Sequence, residues 1–299
     1  MFKKMVTKYK RSGLLGVLLA GMSYEFRQTS KFFSNSAEWI LTKIPISLND
    51  KEILNRNQVF KNKHAGRRCF VIGNGPSLNK QDLSLLSNEI TIVMNYFYKH
   101  PIVEKWQPNY YCLADPQQSD GSKKSEKFYQ NLRQKIHSSK FLVPVYGKIF
   151  IENQKLLPLD QTYYAAFRGT LSNGLNYNNI DLTKSIPGVQ NTSQLAMMWA
   201  LYMGCSPIYL IGLDHDWLSN VSYPLSKHFY KVVDGVDYSK EKRVLRRDRL
   251  KATLDLWKGY ETILRIIANK NISIINATEG GFLDVFERRK YKSIFLNPN

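Results

Sequence analysis

The stretch Arg68-Cys-Phe-Val-Ile-Gly-Asn-Gly-Pro-Ser-Leu78 decides how the rest of the chain is read. Its apolar run, Cys69 to Ile72, has the length and composition of a buried strand. Gly73-Asn74-Gly75-Pro76-Ser77 follows at once. Glycine lets the backbone turn tightly and leaves room for a ligand against bare main chain. Pro76 cannot donate to a ladder and suits the first turn of a helix, while Asn74 and Ser77 set short polar groups beside it. A strand, a glycine turn and a helix N-terminus together make a site for a phosphate or another anion. The same letters also fit an ordinary strand-to-helix turn. The dinucleotide fingerprint is excluded because its third glycine is missing, and a P-loop because no Gly-Lys-Ser/Thr follows.

On either side of this stretch the pattern is one of alternating strands and helices. Strands are expected at Cys69–Ile72, Glu89–Met94, Tyr110–Ala114, Lys140–Val145, Pro207–Ile211 and Ile272–Ile275. Helices are expected at Lys80–Leu86, Gln194–Met203 and Leu250–Asn269, the last with Leu254, Trp257, Tyr260, Ile263, Leu264 and Ile267 on one face. Continuous apolar strands separated by helices indicate a sheet buried on both sides. The expected class is therefore α/β, a Rossmann-like, doubly wound, mostly parallel sheet with helices on both faces. A basic N-terminal helical segment and a lid-like insertion complete it. Polar residues recur just past the strand ends, at Asn74, Asn95, Asp115 and Asp214, and open α/β sheets bind ligands along that edge.

At 299 residues, 43% hydrophobic and 13% aromatic, the chain is a folded globular protein. Its 43 Lys and Arg against 24 Asp and Glu give +19, which suits an anionic partner. Cys69, Cys112 and Cys205 lie far apart with no metal-ligand spacing, and their odd number speaks against a disulfide framework, so a cytoplasmic setting is expected. Residues 1–48 are basic, with an apolar run, Leu14 to Met22, too short to span a bilayer. They read as amphipathic helix lying on an anionic membrane surface or packed on the domain. Residues 49–66 read as a linker, and 67–299 as a single catalytic domain with lid regions at about 154–185 and 218–250.

Gly188-Val-Gln-Asn-Thr192-Ser193 precedes a helix, so Thr192 and Ser193 serve as a cap or as a second ligand contact. Asp214-His215-Asp216 ends a strand, and its acids suit either Mg²⁺ or sugar hydroxyls. His215 and His228 are the candidate bases among five histidines, because an imidazole titrates near neutral pH. Gly-x-Ser-x-Gly and His-Glu-x-x-His are both absent, which removes the common hydrolase readings. Basic residues are not interleaved with aromatics as in RNA- or DNA-binding modules, so a non-catalytic nucleic-acid-binding protein ranks a distant third among readings.

Four segments carry a resemblance: Ile72-Gly-Asn-Gly-Pro-Ser-Leu78, Asn95-Tyr-Phe-Tyr98, Asn191-Thr-Ser193 and Ile208-Tyr-Leu-Ile-Gly-Leu-Asp214. In that order they resemble the bacterial sialyltransferases of glycosyltransferase family 42. They also resemble the broader group of motility accessory factors and 6-hydroxymethylpterin diphosphokinase MptE-like proteins, to which Asn276-Ala-Thr278 belongs. The resemblance covers about residues 67–235. It implies that Asn74 and Asn95, with Gly73, Gly75, Ser77, Asp115 and Asp214, hold the nucleotide of the donor. It places Thr192 and Ser193 near the donor sugar, His228 as base on the acceptor hydroxyl, and Tyr223 beside the leaving phosphate. Two departures stand out: Asp216 replaces a tyrosine of that family, and His228 lies nearer Asp214 than its base does.

The expected activity is inverting transfer of a sialic-acid-like or other nonulosonic sugar from a nucleotide-activated, CMP-linked donor. The acceptor would be a cell-surface glycan or lipid-linked oligosaccharide, as in bacterial polysaccharide or lipopolysaccharide biosynthesis. No cofactor is required on this reading, and the enzyme works peripherally at the inner face of the cytoplasmic membrane. The alternative is a Mg²⁺-dependent, 6-hydroxymethylpterin diphosphokinase-like pyrophosphoryl transferase, with Asp115, Asp214 and Asp216 holding the metal and ATP.

Overall fold

In the computed structural model, Cys69–Ile72 forms β1, buried along its whole length because strands flank it on both sides. The structure describes residues 48–173, 178–216 and 246–296. The expectations placed on residues 1–47, on Tyr223 and His228, and on the lid from 218 to 245 lie outside these.

The remaining strands of the main sheet are β2 (Ile90–Met94), β3 (Tyr110–Cys112), β4 (Lys140–Pro144), β5 (Thr162–Ala165), β8 (Ile208–Ile211), β9 (Ile274–Asn276) and β10 (Glu287–Arg288). Between β5 and β8, β6 (Phe167–Thr170) and β7 (Ile186–Gly188) pair as a separate two-stranded sheet. The main sheet has eight strands in the order β10-β9-β8-β1-β2-β3-β4-β5, and every pairing in it is parallel. The class is α/β and Rossmann-like. From β1 the chain runs outward to β5, then returns to lay β8 on the other side of β1. The strand order therefore reverses between β1 and β8, the place where such sheets open a crevice at their carboxyl edge.

Alternate residues of each strand enter opposite cores, as a period of two requires. Cys69, Val71, Ile92, Cys112 and Leu210 join the core under α4 (Thr192–Tyr202) and α5 (Arg246–Ile267). Phe70, Ile72, Val93, Tyr111 and Ile211 join the core under α2 (Lys123–Lys135) and α3 (Lys148–Asn153). Buried on nearly every side, α4 (Thr-Ser-Gln-Leu-Ala-Met-Met-Trp-Ala-Leu-Tyr) carries no polar stripe. By contrast α5 is amphipathic, and Leu256, Tyr260, Ile263 and Ile267 face inward.

Three expectations are corrected. The supposed linker 49–66 begins in α1 (Leu48–Asn55) and packs on the domain: Leu54, Asn57 and Phe60 are buried, and Asn57 Nδ2 donates to Tyr164 O and Leu182 O. Within the supposed lid at 154–185, β5 is a strand of the main sheet, and Leu156, Leu157, Tyr164 and Leu182 are core residues. Residues 246–250 are the first turns of α5, with Leu250 and Leu254 more than half exposed.

Candidate functional site

At the reversal point the turns after β1 and β8 lock together. Gly73 N donates to Ile211 O, and Gly75 N to Gly212 O, both at 2.8 Å. Ser77 donates twice to Asp214, from its amide at 3.1 Å and from Oγ at 2.8 Å. A Cβ on Gly75 would stand 1.6 Å from Asp214 Oδ2, and one on Gly73 2.3 Å from Gly212 O. These glycines therefore serve the close approach of two turns. The amides of Gly73, Gly75 and Ser77, expected to cradle a nucleotide phosphate, already have protein acceptors, and a buried carboxylate occupies the spot. Burial pushes the Asp214 carboxyl upward, while the Ser77 bonds pull it back. Asn74, nine-tenths buried, donates from Nδ2 to Met94 O at 3.1 Å, and its Oδ1 has no partner among the described residues.

One strand further along the same edge, a cleft of about 430 Å³ opens. Asn95 closes β2, Ala114-Asp115-Pro116 follow β3, Tyr146 follows β4, and Gly188 to Thr192 run from β7 into α4. Phe167 of β6 completes the wall. Asn95 holds a left-handed backbone at φ 51°, a conformation asparagine tolerates better than most residues. Its Oδ1 accepts from Thr192 Oγ1 at 3.2 Å and Gln118 Nε2 at 3.3 Å. Asp115 caps the following turn through Gln117 N, 2.9 Å from Oδ1. Tyr146 Oη donates to Ala114 O at 2.9 Å, and burial with the Asp115 charge pushes its phenol up to about 12, so it is a neutral ring at neutral pH.

The N-terminus of α4 is braced from behind by α5. Asn191 caps it, accepting from Gln194 N at 3.1 Å. Tyr260 Oη meets three polar groups: Asn191 Nδ2 at 3.0 Å, Ser193 Oγ at 2.7 Å and His215 Nε2 at 2.6 Å. The His215 ring stacks on Tyr260, and burial lowers its pKa to about 3, so the imidazole is neutral. Gln194 ties the same wall down, accepting from Gln190 N and donating to Leu256 O.

The structure thus sorts the expected site residues. Asn95, Asp115 and Thr192 meet in the cleft. Ser193 does not join them: its hydroxyl, 2% exposed as a residue, lies in the buried Tyr260 network. Gly73, Gly75, Ser77 and Asp214 form the adjoining seam. His215, the second candidate base, is structural in its contacts. Among the described residues no three His, Cys, Asp or Glu groups converge on a metal-sized site, so Asp115, Asp214 and Asp216 do not make the three-acid set of the alternative reading. Tyr146, Phe167 and Gln118 escaped the sequence reading, and Tyr260 was read only as part of an apolar helix face; the polar Pro-Gln-Gln following Asp115 is the one local signal that could have pointed toward Gln118.

A family model described as 6-hydroxymethylpterin diphosphokinase MptE-like matches residues 46–220. No curated protein matches the chain. Among solved structures, the sialyltransferase CstII from Campylobacter jejuni, in complex with the substrate analogue CMP-3FNeuAc, aligns at 12% identity and a TM-score of 0.41, covering 74% of this chain and 85% of that chain. A crystal structure of the sialyltransferase CST-II with trisaccharide acceptor and CMP aligns with the same values.

Proposed function

The chain belongs to the 6-hydroxymethylpterin diphosphokinase MptE-like family, and within it, from the lining of the cleft, we propose a glycosyltransferase using a nucleotide-activated sugar. The observation that carries this reading is the chemistry of the cleft wall. Asn95, Gln190, Asn191 and Thr192 offer neutral hydrogen-bonding groups, Tyr146 and Phe167 offer rings, and among the described residues Asp115 is the one charged group lining it. Such a wall suits a nucleoside base and sugar hydroxyls. A triphosphate concentrates negative charge and needs cations or a metal beside it.

The donor is a CMP-linked sialic-acid-like or other nonulosonic sugar, supported by the motif resemblance of the four segments. His228 deprotonates the acceptor hydroxyl as that oxygen attacks the anomeric carbon, and the carbon inverts as the nucleotide phosphate leaves. Tyr223 and Lys227 stabilise the charge that develops on the phosphate. The acceptor is an anionic or lipid-linked glycan, and the basic residues 1–48 hold the enzyme on the inner membrane surface. Among the described residues no helix is long and apolar enough to cross a membrane.

Pyrophosphoryl transfer from Mg²⁺-ATP is the second reading, favoured by the family description itself. Thermal unfolding with CMP, CDP or ATP, with and without Mg²⁺, separates the two, because a ligand bound only by the folded state raises the midpoint. Stabilisation by CMP or CDP without metal is the expected outcome. Stabilisation by ATP alone, and only with Mg²⁺, would replace the first reading with the second. His228→Ala should abolish turnover and leave nucleotide binding intact.

A further inference from the structure

Gln118 is buried at 3% exposure in the short turn Pro116–Gln118, behind the cleft and not in its lining. Its Nε2 donates to Asn95 Oδ1, while its own Oε1 is buried with no partner among the described residues. A buried amide oxygen left unpaired costs free energy that an apolar side chain would not. What the amide gains is its bond to Asn95.

That bond matters because of how the Asn95 amide is filled. A carbonyl oxygen has two lone pairs, and Asn95 Oδ1 receives two donors, Gln118 Nε2 and Thr192 Oγ1. Its acceptor end is complete. Among the described residues no partner takes the Nδ2 group, and Asn95 lines the cleft. The backbone is held as firmly: Tyr111 Oη donates to Asn95 O at 2.7 Å and itself accepts from Tyr98 N at 3.0 Å.

We infer that Gln118 is a positioning residue which, with Thr192, fixes Asn95 so that its NH₂ group faces the ligand. The ligand atom docked there is then an acceptor oxygen, of a phosphate or of a pyrimidine carbonyl. A ligand offering only an N–H at that point is rejected, since donor would face donor, whereas a hydroxyl turns to accept. The inference rests on the cleft being the nucleotide site.

Gln118→Glu tests it with almost no change of shape. At neutral pH the introduced carboxylate cannot donate, so the Asn95 amide turns its NH₂ toward that carboxylate and shows Oδ1 to the ligand. Affinity for CMP, measured by calorimetric titration on the full chain, should fall about tenfold to a hundredfold relative to the wild type. Burial raises a carboxyl pKa, so mild acid should protonate the new side chain and restore an O–H donor. The ratio of variant to wild-type affinity should then recover, a response that mere loss of packing would not give. Gln118→Met, which never donates, should lose affinity without recovery. Cytidine as a second probe assigns the atom: a loss confined to CMP identifies a phosphate oxygen, and an equal loss for both identifies the base. Wild-type protein that binds neither probe overturns the nucleotide reading and this inference together. Wild-type binding with unchanged affinity in Gln118→Glu at neutral pH overturns this inference alone.

Discussion

Two neighbouring parts of the sheet edge differ in what their polar groups do. In the seam between β1 and β8, the amides of Gly73, Gly75 and Ser77 meet the Ile211 and Gly212 carbonyls and the Asp214 carboxylate. In the cleft beyond β2 and β3, the side chains of Asn95, Asp115 and Thr192 border open space. The seam contains the most conspicuous motif of the sequence, yet its contacts are internal. Its glycines join two strand ends that lie far apart in the chain, and that junction sets the edge from which the cleft opens. A motif can thus mark the neighbourhood of a site while serving as its foundation.

The largest expected effect tests the foundation. Gly75→Ala places a methyl 1.6 Å from Asp214 Oδ2 and should cost about 3 kcal/mol or more in chemical denaturation. A variant of near wild-type stability would show the seam to be loose. Next is the brace behind the cleft. Tyr260→Phe leaves Asn191, Ser193 and His215 without a shared partner and should cost about 2 kcal/mol, roughly one buried group left unsatisfied. CMP affinity should fall with it, because Asn191 and Thr192 belong to the cleft wall.

His215 sharpens the comparison through pH. Its folded pKa, about 3, lies below the ordinary 6.5, so its contribution is complete above 6.5 and is lost as pH falls below it. Acid should therefore remove up to about 1.4 kcal/mol per pH unit in that range, and His215→Gln should flatten the slope. Asp214 has the opposite sign and a smaller effect. Its carboxyl is raised on folding, so the stability that it contributes is present at low pH and declines as pH rises through the folded value. The advantage of the wild type over Asp214→Asn should narrow on that ascent; a widening gap would mean that the Ser77 bonds outweigh desolvation.

Much of the fold was legible because burial on both faces writes strands as apolar runs. Cys69–Ile72, Ile90–Met94 and Ile208–Ile211 read directly. Other elements were not, and two of them show why. Thr162–Ala165 (Thr-Tyr-Tyr-Ala) sits at the sheet edge in a tract rich in Tyr and Asn, so its composition resembles a loop. Residues Lys123–Lys135 form a helix whose inward face is only Ser125, Phe128, Tyr129 and Leu132 among charged neighbours. Site residues divide on the same principle. Asn95, Asp115 and Thr192 follow strand ends or open a helix, and position alone singled them out. Tyr260 acts on Asn191 across 69 residues and Gln118 on Asn95 from inside a turn, connections that only the packed chain makes.

One titration separates the seam from the cleft most directly. CMP would be titrated into wild type, Ser77→Ala and Asn95→Asp, with thermal unfolding of each protein alongside. Ser77→Ala loses the Oγ bond to Asp214 and should be about 1 kcal/mol less stable with affinity unchanged. Asn95→Asp keeps an acceptor for Gln118 and Thr192 and should hold its stability while losing at least about tenfold in affinity. Affinity lost in Ser77→Ala and retained in Asn95→Asp would return the ligand to the glycine turn and contradict the division drawn between the two regions.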